Sequence, residues 1–324
     1  MSTTSEILVI GGSAAGLATA LTLARSRRRV LVVDSGAPRN APADGIHNYL
    51  GREGASPAEL VRDGRREVEG YGAEVIDDQV AELTARPGGG FSWRTAGGVD
   101  GVAAVVVLAT GVTDRLPAVP GLAERWGHSV IHCPYCHGWE VRDQPIGVLA
   151  AGPGSVHQAL LARQLSDDVV YFAHTAPGLD AEAAARLAAR GIRIQEGEVT
   201  EVTGAGTGVE RIHLAGGDAV PRDALFVASE MTPRDALARG LGAQVEELPG
   251  LGSWVTVDAD GRTSVDGLWA VGNVVDPRAQ VITSAAAGTR AAAAINMTLV
   301  DREVVQARRP SSGSGTRSGQ EGAQ

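Results

Sequence analysis

Short apolar runs alternate along this chain with small-residue turns and stretches of helical periodicity. Residues 7–10 form the first run, the turn after them ends at Gly16, and the spacing predicts a helix over about 17–26 and a strand over 30–33. That is a strand–helix–strand unit. Another buried-strand run, 102–109, stops at Thr110-Gly111, and the Pro-bearing stretch 116–121 reads as a crossing between domains. A second strand–turn–helix unit starts at 146–150 and leads to a strand at 169–172, so the chain repeats its own architecture. After 226–228 a Pro/Gly interruption precedes 269–273 and an Ala-rich helix through Ile295, which reads as a return to the first domain. The expected division is 1–116 with 231–306, an insert at 117–230, and a polar tail, 307–324, too poor in apolar residues to order itself.

Composition agrees with two domains of α/β type: 324 residues, 44% hydrophobic, 21% charged and 43 glycines. A formal net charge of −9 without a long basic stripe argues against nucleic acid or an anionic membrane as partner. Arg27-Arg28-Arg29 is the one short basic cluster and is expected to be a solvated helix end. All 29 cations are arginine, which excludes a Walker lysine or a Schiff-base lysine. No apolar run approaches the roughly 20 residues a bilayer needs, and Glu6 precedes the first run where a signal peptide has basic residues. A cytoplasmic protein is expected.

Gly11-Gly12-Ser13-Ala14-Ala15-Gly16 reads as a dinucleotide fingerprint with Ser13 at the usual middle glycine. A strand feeds it, a helix leaves it, and Asp34 closes the next strand where a carboxylate can hold ribose hydroxyls. The helix start supplies unpaired N–H groups and a positive dipole end for a pyrophosphate.

The sharpest local signal is His132-Cys133-Pro134-Tyr135-Cys136-His137-Gly138. With only two cysteines, three positions apart, a redox-working pair is the better reading, although His132 and His137 leave a Cys2His2 metal site open.

With both motifs in hand, the sequence resembles the low-molecular-weight thioredoxin reductase family of pyridine nucleotide–disulfide oxidoreductases over nearly all of residues 5–300. The order matches: the loop at 11–16, Leu108-Ala109-Thr110-Gly111, C-x-x-C in the second domain, and the segment 270–288 near the end. The resemblance implies two Rossmann-like domains, the second inserted into the first, of the three-layer β/β/α type, with FAD as cofactor and a homodimer as assembly. By position it implies that Cys136 faces the flavin and Cys133 exchanges with substrate. It places Gly11, Ser13, Ala14, Ala15, Gly16, Asp34, Arg39, His47, Asn48, Thr110, Gly111, Gly272, Asn273, Gln280 and Val281 beside the cofactor.

Three departures set the expected branch. His137 stands where the family's reductases carry an acidic residue, and the string CPYCHGWE looks like the dithiol oxidases of gliotoxin- and holomycin-type pathways. In the insert, Gly152-Pro153-Gly154-Ser155 is an incomplete fingerprint and the strand end 171–176 has no arginine for a 2′-phosphate, which makes NAD(P)H a doubtful cofactor. Asn273 replaces an aspartate that bonds the cofactor. His174 is expected at the surface, His157 packed or capping on its helix, and Trp126 and Trp139 in aromatic packing. The implied activity is oxidation of a small-molecule dithiol, with His137 shuttling protons and oxygen as acceptor, giving hydrogen peroxide. The alternatives are an NAD(P)H-dependent disulfide reductase and a flavin-binding redox sensor without turnover.

Overall fold

The computed structural model describes residues 3–308. Strand Thr3–Ile10 lies between Val30–Asp34 and Asp100–Leu108, parallel to both, and Glu74–Asp77 extends the sheet beyond Val30–Asp34. The far edge of Asp100–Leu108 is shared: its first half pairs with the antiparallel hairpin of Val80–Ala85 and Phe91–Thr95, its second half with the parallel strand Leu268–Ala270. The apolar runs are continuous because these strands are covered on both faces. Ile7 and Val9 point into one core with the helices Ala14–Arg25 and Val281–Ala307, while Leu8 and Ile10 point into the other with Phe91, Trp93 and Val255.

A second, five-stranded parallel sheet runs in the order Arg193–Gln195, Val169–Phe172, Ile146–Leu149, Ala224–Val227, Val130–Ile131. Helix Ser155–Leu165 covers one face and a three-stranded antiparallel sheet, residues 199–221, the other. The chain leaves the first sheet along Val112–Arg115 and returns along Glu230–Pro233, and these two segments pair antiparallel.

Several expectations need correcting. The first helix starts at Ala14, three residues early, because its opening residues are small and carry no apolar periodicity. The last helix continues past Ile295 to Ala307, held by buried Leu299 and by an ion pair between Glu303 and Arg28. Arg28 is therefore not a solvated helix end; its guanidinium also bonds Glu6 and Asn296. His157 is exposed, and Trp139 is 67% exposed with the Arg142 guanidinium 4.1 Å over its ring. The tail from 309 onward lies outside the described residues.

Candidate active site

A cavity of about 1070 Å³ runs from the first turn of the Ala14–Arg25 helix to the C-x-x-C segment. At its first end the strand turns sharply through Gly11, φ +107°, so that the helix N-terminus faces the cavity. Gly16 makes that turn possible: a Cβ there would stand 1.8 Å from the Gly11 carbonyl oxygen. Asp34, buried at the end of the second strand, accepts the Gly12 N–H at 2.9 Å on one carboxylate oxygen. Its other oxygen keeps lone pairs for a ribose hydroxyl.

Gln280 and Val281 bring a second helix start to the cavity wall. Both Asn273 amide hydrogens close its own loop, on the Asp276 and Ala279 carbonyls, so the acceptor Oδ1 is what this side chain offers. A carboxylate in this position could not donate those two bonds.

Cys133 caps the one-turn helix Pro134–His137 and is disulfide-bonded to Cys136, with Cα atoms 5.2 Å apart. Proline at the first helical position sets the turn, and the Cys136 N–H donates to the Cys133 sulfur at 3.1 Å. Both sulfurs' residues and His137 line the cavity. Burial lowers the affinity of the His137 ring for a proton, Glu140 opposes this, and His47 adds to it; the net effect sits below the ordinary histidine value. This favours the neutral ring, which can accept a proton.

Of the residues expected at the cofactor, Gly11, Ser13, Ala14, Ala15, Asp34, Arg39, His47, Thr110, Gly111, Asn273, Gln280 and Val281 line the cavity. Gly16, Asn48 and Gly272 do not. Gly16 and Gly272 shape the cradle from behind, against Gly11 and Ala15. Asn48, at φ +61°, donates its amide to the Tyr135 carbonyl at 2.7 Å and so ties the 45–55 loop to the C-x-x-C turn. The Arg39 guanidinium is committed to Asp114 through Nε and Nη2, both at 2.7 Å. Asp78 to Ala81, Ser284 and Asp114 also line the cavity and carry no local sequence signature.

The Cys2His2 alternative is not assembled: the two sulfurs are bonded to each other, and His132 Nδ1 lies 3.2 Å from the Ser229 hydroxyl. Ser229 in turn donates to Asp114 at 2.6 Å. Burial pushes Asp114 up, but the two Arg39 bonds, its charge and Ser229 outweigh this and hold the carboxyl below its ordinary value. The stability it contributes is full above the unfolded aspartate value and fades as pH falls through the lower folded one. Asp114→Asn is expected to cost about 3 kcal/mol and to flatten the acid limb of stability, measured by denaturant unfolding across pH.

In the insert, the Ala151 and Gly152 N–H groups that would face a pyrophosphate both donate to Ser155 Oγ, at 3.1 and 3.2 Å. The turn of the Val245–Leu248/Gly252–Val255 hairpin sits on the same loop, where a Cβ on Gly250 would be 3.2 Å from Pro153. His174 accepts the Val199 N–H on Nδ1, so it serves the fold.

A dinucleotide cradle opening onto a vicinal disulfide defines an oxidoreductase of the thioredoxin reductase type, with FAD implied as its prosthetic group. The chain belongs to the pyridine nucleotide-disulphide oxidoreductase family, whose model matches residues 5–292. It is 35% identical over 260 residues to thioredoxin reductase tcpT of Claviceps purpurea (strain 20.1), covering 74% of this chain and 78% of that one. The crystal structure of HlmI superposes with a TM-score of 0.90 at 46% identity, over 95% of this chain and 97% of the other. An oxidoreductase from Agrobacterium tumefaciens gives 0.86 at 35%, over 92% and 99%. Among the described residues no helix is long and apolar enough to cross a membrane.

Proposed function

We propose that this protein is an FAD-dependent oxidase that closes a disulfide in a small-molecule dithiol. The observation that carries the reading is one cavity shared by the dinucleotide cradle, the Cys133–Cys136 disulfide and the His137 ring. The cradle fits the cofactor: helix starts at Ala14 and Val281 face the space, and Asp34 keeps a free carboxylate oxygen.

In this reading one substrate sulfur bonds to Cys133 as its proton passes to His137, and the Cys133–Cys136 bond breaks with Cys136 leaving as thiolate. The second substrate thiol gives up its proton and attacks the first sulfur. The substrate disulfide closes and Cys133 leaves as thiolate. Two electrons and two protons have then left the substrate. FAD would take the electron pair as the cysteines re-close and pass it to oxygen, which with two protons becomes hydrogen peroxide. The Ser155 hydroxyl, by occupying the N–H groups of the second loop, supports oxygen over NAD(P)H as redox partner. The reading includes a homodimer, supported by Met297, Val300, Val304 and Val305 exposed on the last helix.

The second reading, an NAD(P)H-dependent disulfide reductase, is favoured by the name of the Claviceps relative. Anaerobic bleaching of the flavin band separates the two. Dithiothreitol is expected to bleach it, with recovery and peroxide on admitting air, whereas NADPH and NADH leave it unchanged. Rapid bleaching by NADPH would establish the reductase instead.

A further inference from the structure

Behind His137 lies a row of groups that holding the disulfide does not require. Glu140 follows three residues later on the turn Trp139–Val141. A ring nitrogen of His137, a carboxylate oxygen of Glu140 and a ring nitrogen of His47 all lie within 4.8 Å of one another, and the His47 and His137 rings meet edge to face at 6.0 Å. His47 has a carboxylate on each nitrogen: Glu53 at 2.6 Å from Nδ1 and Glu140 at 3.4 Å from Nε2. Side chains are 31% exposed at Glu140, 17% at His47 and 64% at Glu53, so the row ends at an exposed carboxylate. Glu53 uses its second oxygen on the Asn48 N–H at 2.9 Å, so the loop that holds the C-x-x-C turn also holds the row.

We infer that Glu140, His47 and Glu53 form a proton exit from His137 to solvent, with Glu140 as the positioning residue that receives the proton first. The inference rests on the dithiol-oxidising role proposed above. Each substrate disulfide releases two protons at a half-buried imidazole, and a base that stays protonated stops the cycle. An imidazole flanked by two carboxylates takes a proton on one nitrogen and returns one from the other without moving its ring. A Glu–His pair with an exposed carboxylate adds little to stability on its own.

The charged groups that face His137 are Glu140 from its own segment, His47 and Asp44 from the 44–53 loop, and His128, which pairs with Asp44 at 3.0 Å. Of these, Glu140 and Asp44 favour the imidazolium while His47 and His128 oppose it. Removing the Glu140 charge therefore lowers the proton affinity of His137 further, and its base form persists to more acid pH.

The test is stopped-flow anaerobic bleaching of the holoenzyme by dithiothreitol across pH, in ordinary and heavy water, for wild type, Glu140→Gln, Glu140→Asp and Glu53→Gln. Glu140→Gln is expected to slow bleaching at neutral pH about tenfold or more, with a larger solvent isotope effect and an acid limb moved to lower pH. Half-saturation by dithiothreitol should hold, Glu140→Asp should restore most of the rate, and Glu53→Gln should show a smaller loss of the same kind. Histidine NMR titration provides a readout independent of turnover: the His137 ring should titrate at lower pH in Glu140→Gln. A Glu140→Gln enzyme with the wild-type pH limb and isotope effect overturns the relay while leaving the oxidase reading intact. Wild type that dithiothreitol fails to bleach overturns the oxidase reading, and the relay with it.

Discussion

Cys136→Ser is expected to abolish bleaching of the flavin by dithiothreitol, by at least about 10³-fold, as loss of a covalent-catalysis group does elsewhere. The two cysteines act as one unit. Substrate sulfur attacks Cys133 only because Cys136 can leave as a thiolate, and the electron pair returns to the flavin only as the two sulfurs re-bond. A serine at 136 removes the leaving group and the re-bonding partner together. The short helix should survive, because proline at its start and the Cys133 cap are unchanged. The variant should therefore keep its flavin and its melting temperature, and Cys133 should be trapped as a stable mixed disulfide by an activated disulfide reagent, read by mass spectrometry. Dithiol bleaching at the wild-type rate in Cys136→Ser would mean that substrate thiols reach the flavin directly, and the disulfide would lose its place in the mechanism.

Gly16→Ala should yield protein with little or no bound flavin. An added Cβ would lie 1.8 Å from the Gly11 carbonyl oxygen and 3.3 Å from Ala109 Cβ. The closest obstacle is backbone of the first turn, which has no flexible end to swing away, so helix and strand must part. Overpacking of this kind costs about 1–3 kcal/mol. It would also displace the Gly11–Ala15 cradle that would hold the pyrophosphate of a bound FAD. Flavin absorbance of the purified protein is expected to fall more than tenfold relative to protein, with a lower unfolding midpoint. Full flavin occupancy in Gly16→Ala would show that close helix–strand contact does not shape the cradle.

Much of this was legible in the residues. The apolar run at Ile7–Ile10 and the turn after it locate the first unit, because a strand covered on both faces needs apolar side chains at every position. The C-x-x-C spacing permits a disulfide across one helical turn, and the Cys133–Cys136 bond is present. Arg28 was misread because its partners, Glu6, Asn296 and Glu303, come from two distant segments that converge only on the folded surface. The Asn48 contact was illegible for the same reason, its amide finding a carbonyl 87 positions away.

The sequence by itself determined the family, the two strand–turn–helix units, the cradle at Gly11–Gly16 and the cysteine pair, since each depends on residues adjacent in the chain or on a local periodicity. Only the tertiary structure decided how polar groups are spent. Arg39 went to Asp114, 75 positions on, and Ser229 to Asp114 across 115; His132 joined them across 97. The same holds for His47, carried by the first sheet's loop to Glu140 of the insert. Hydrogen bonds and ion pairs form between whatever groups the packing of apolar faces brings within about 3 Å, and no pattern along the chain records that distance.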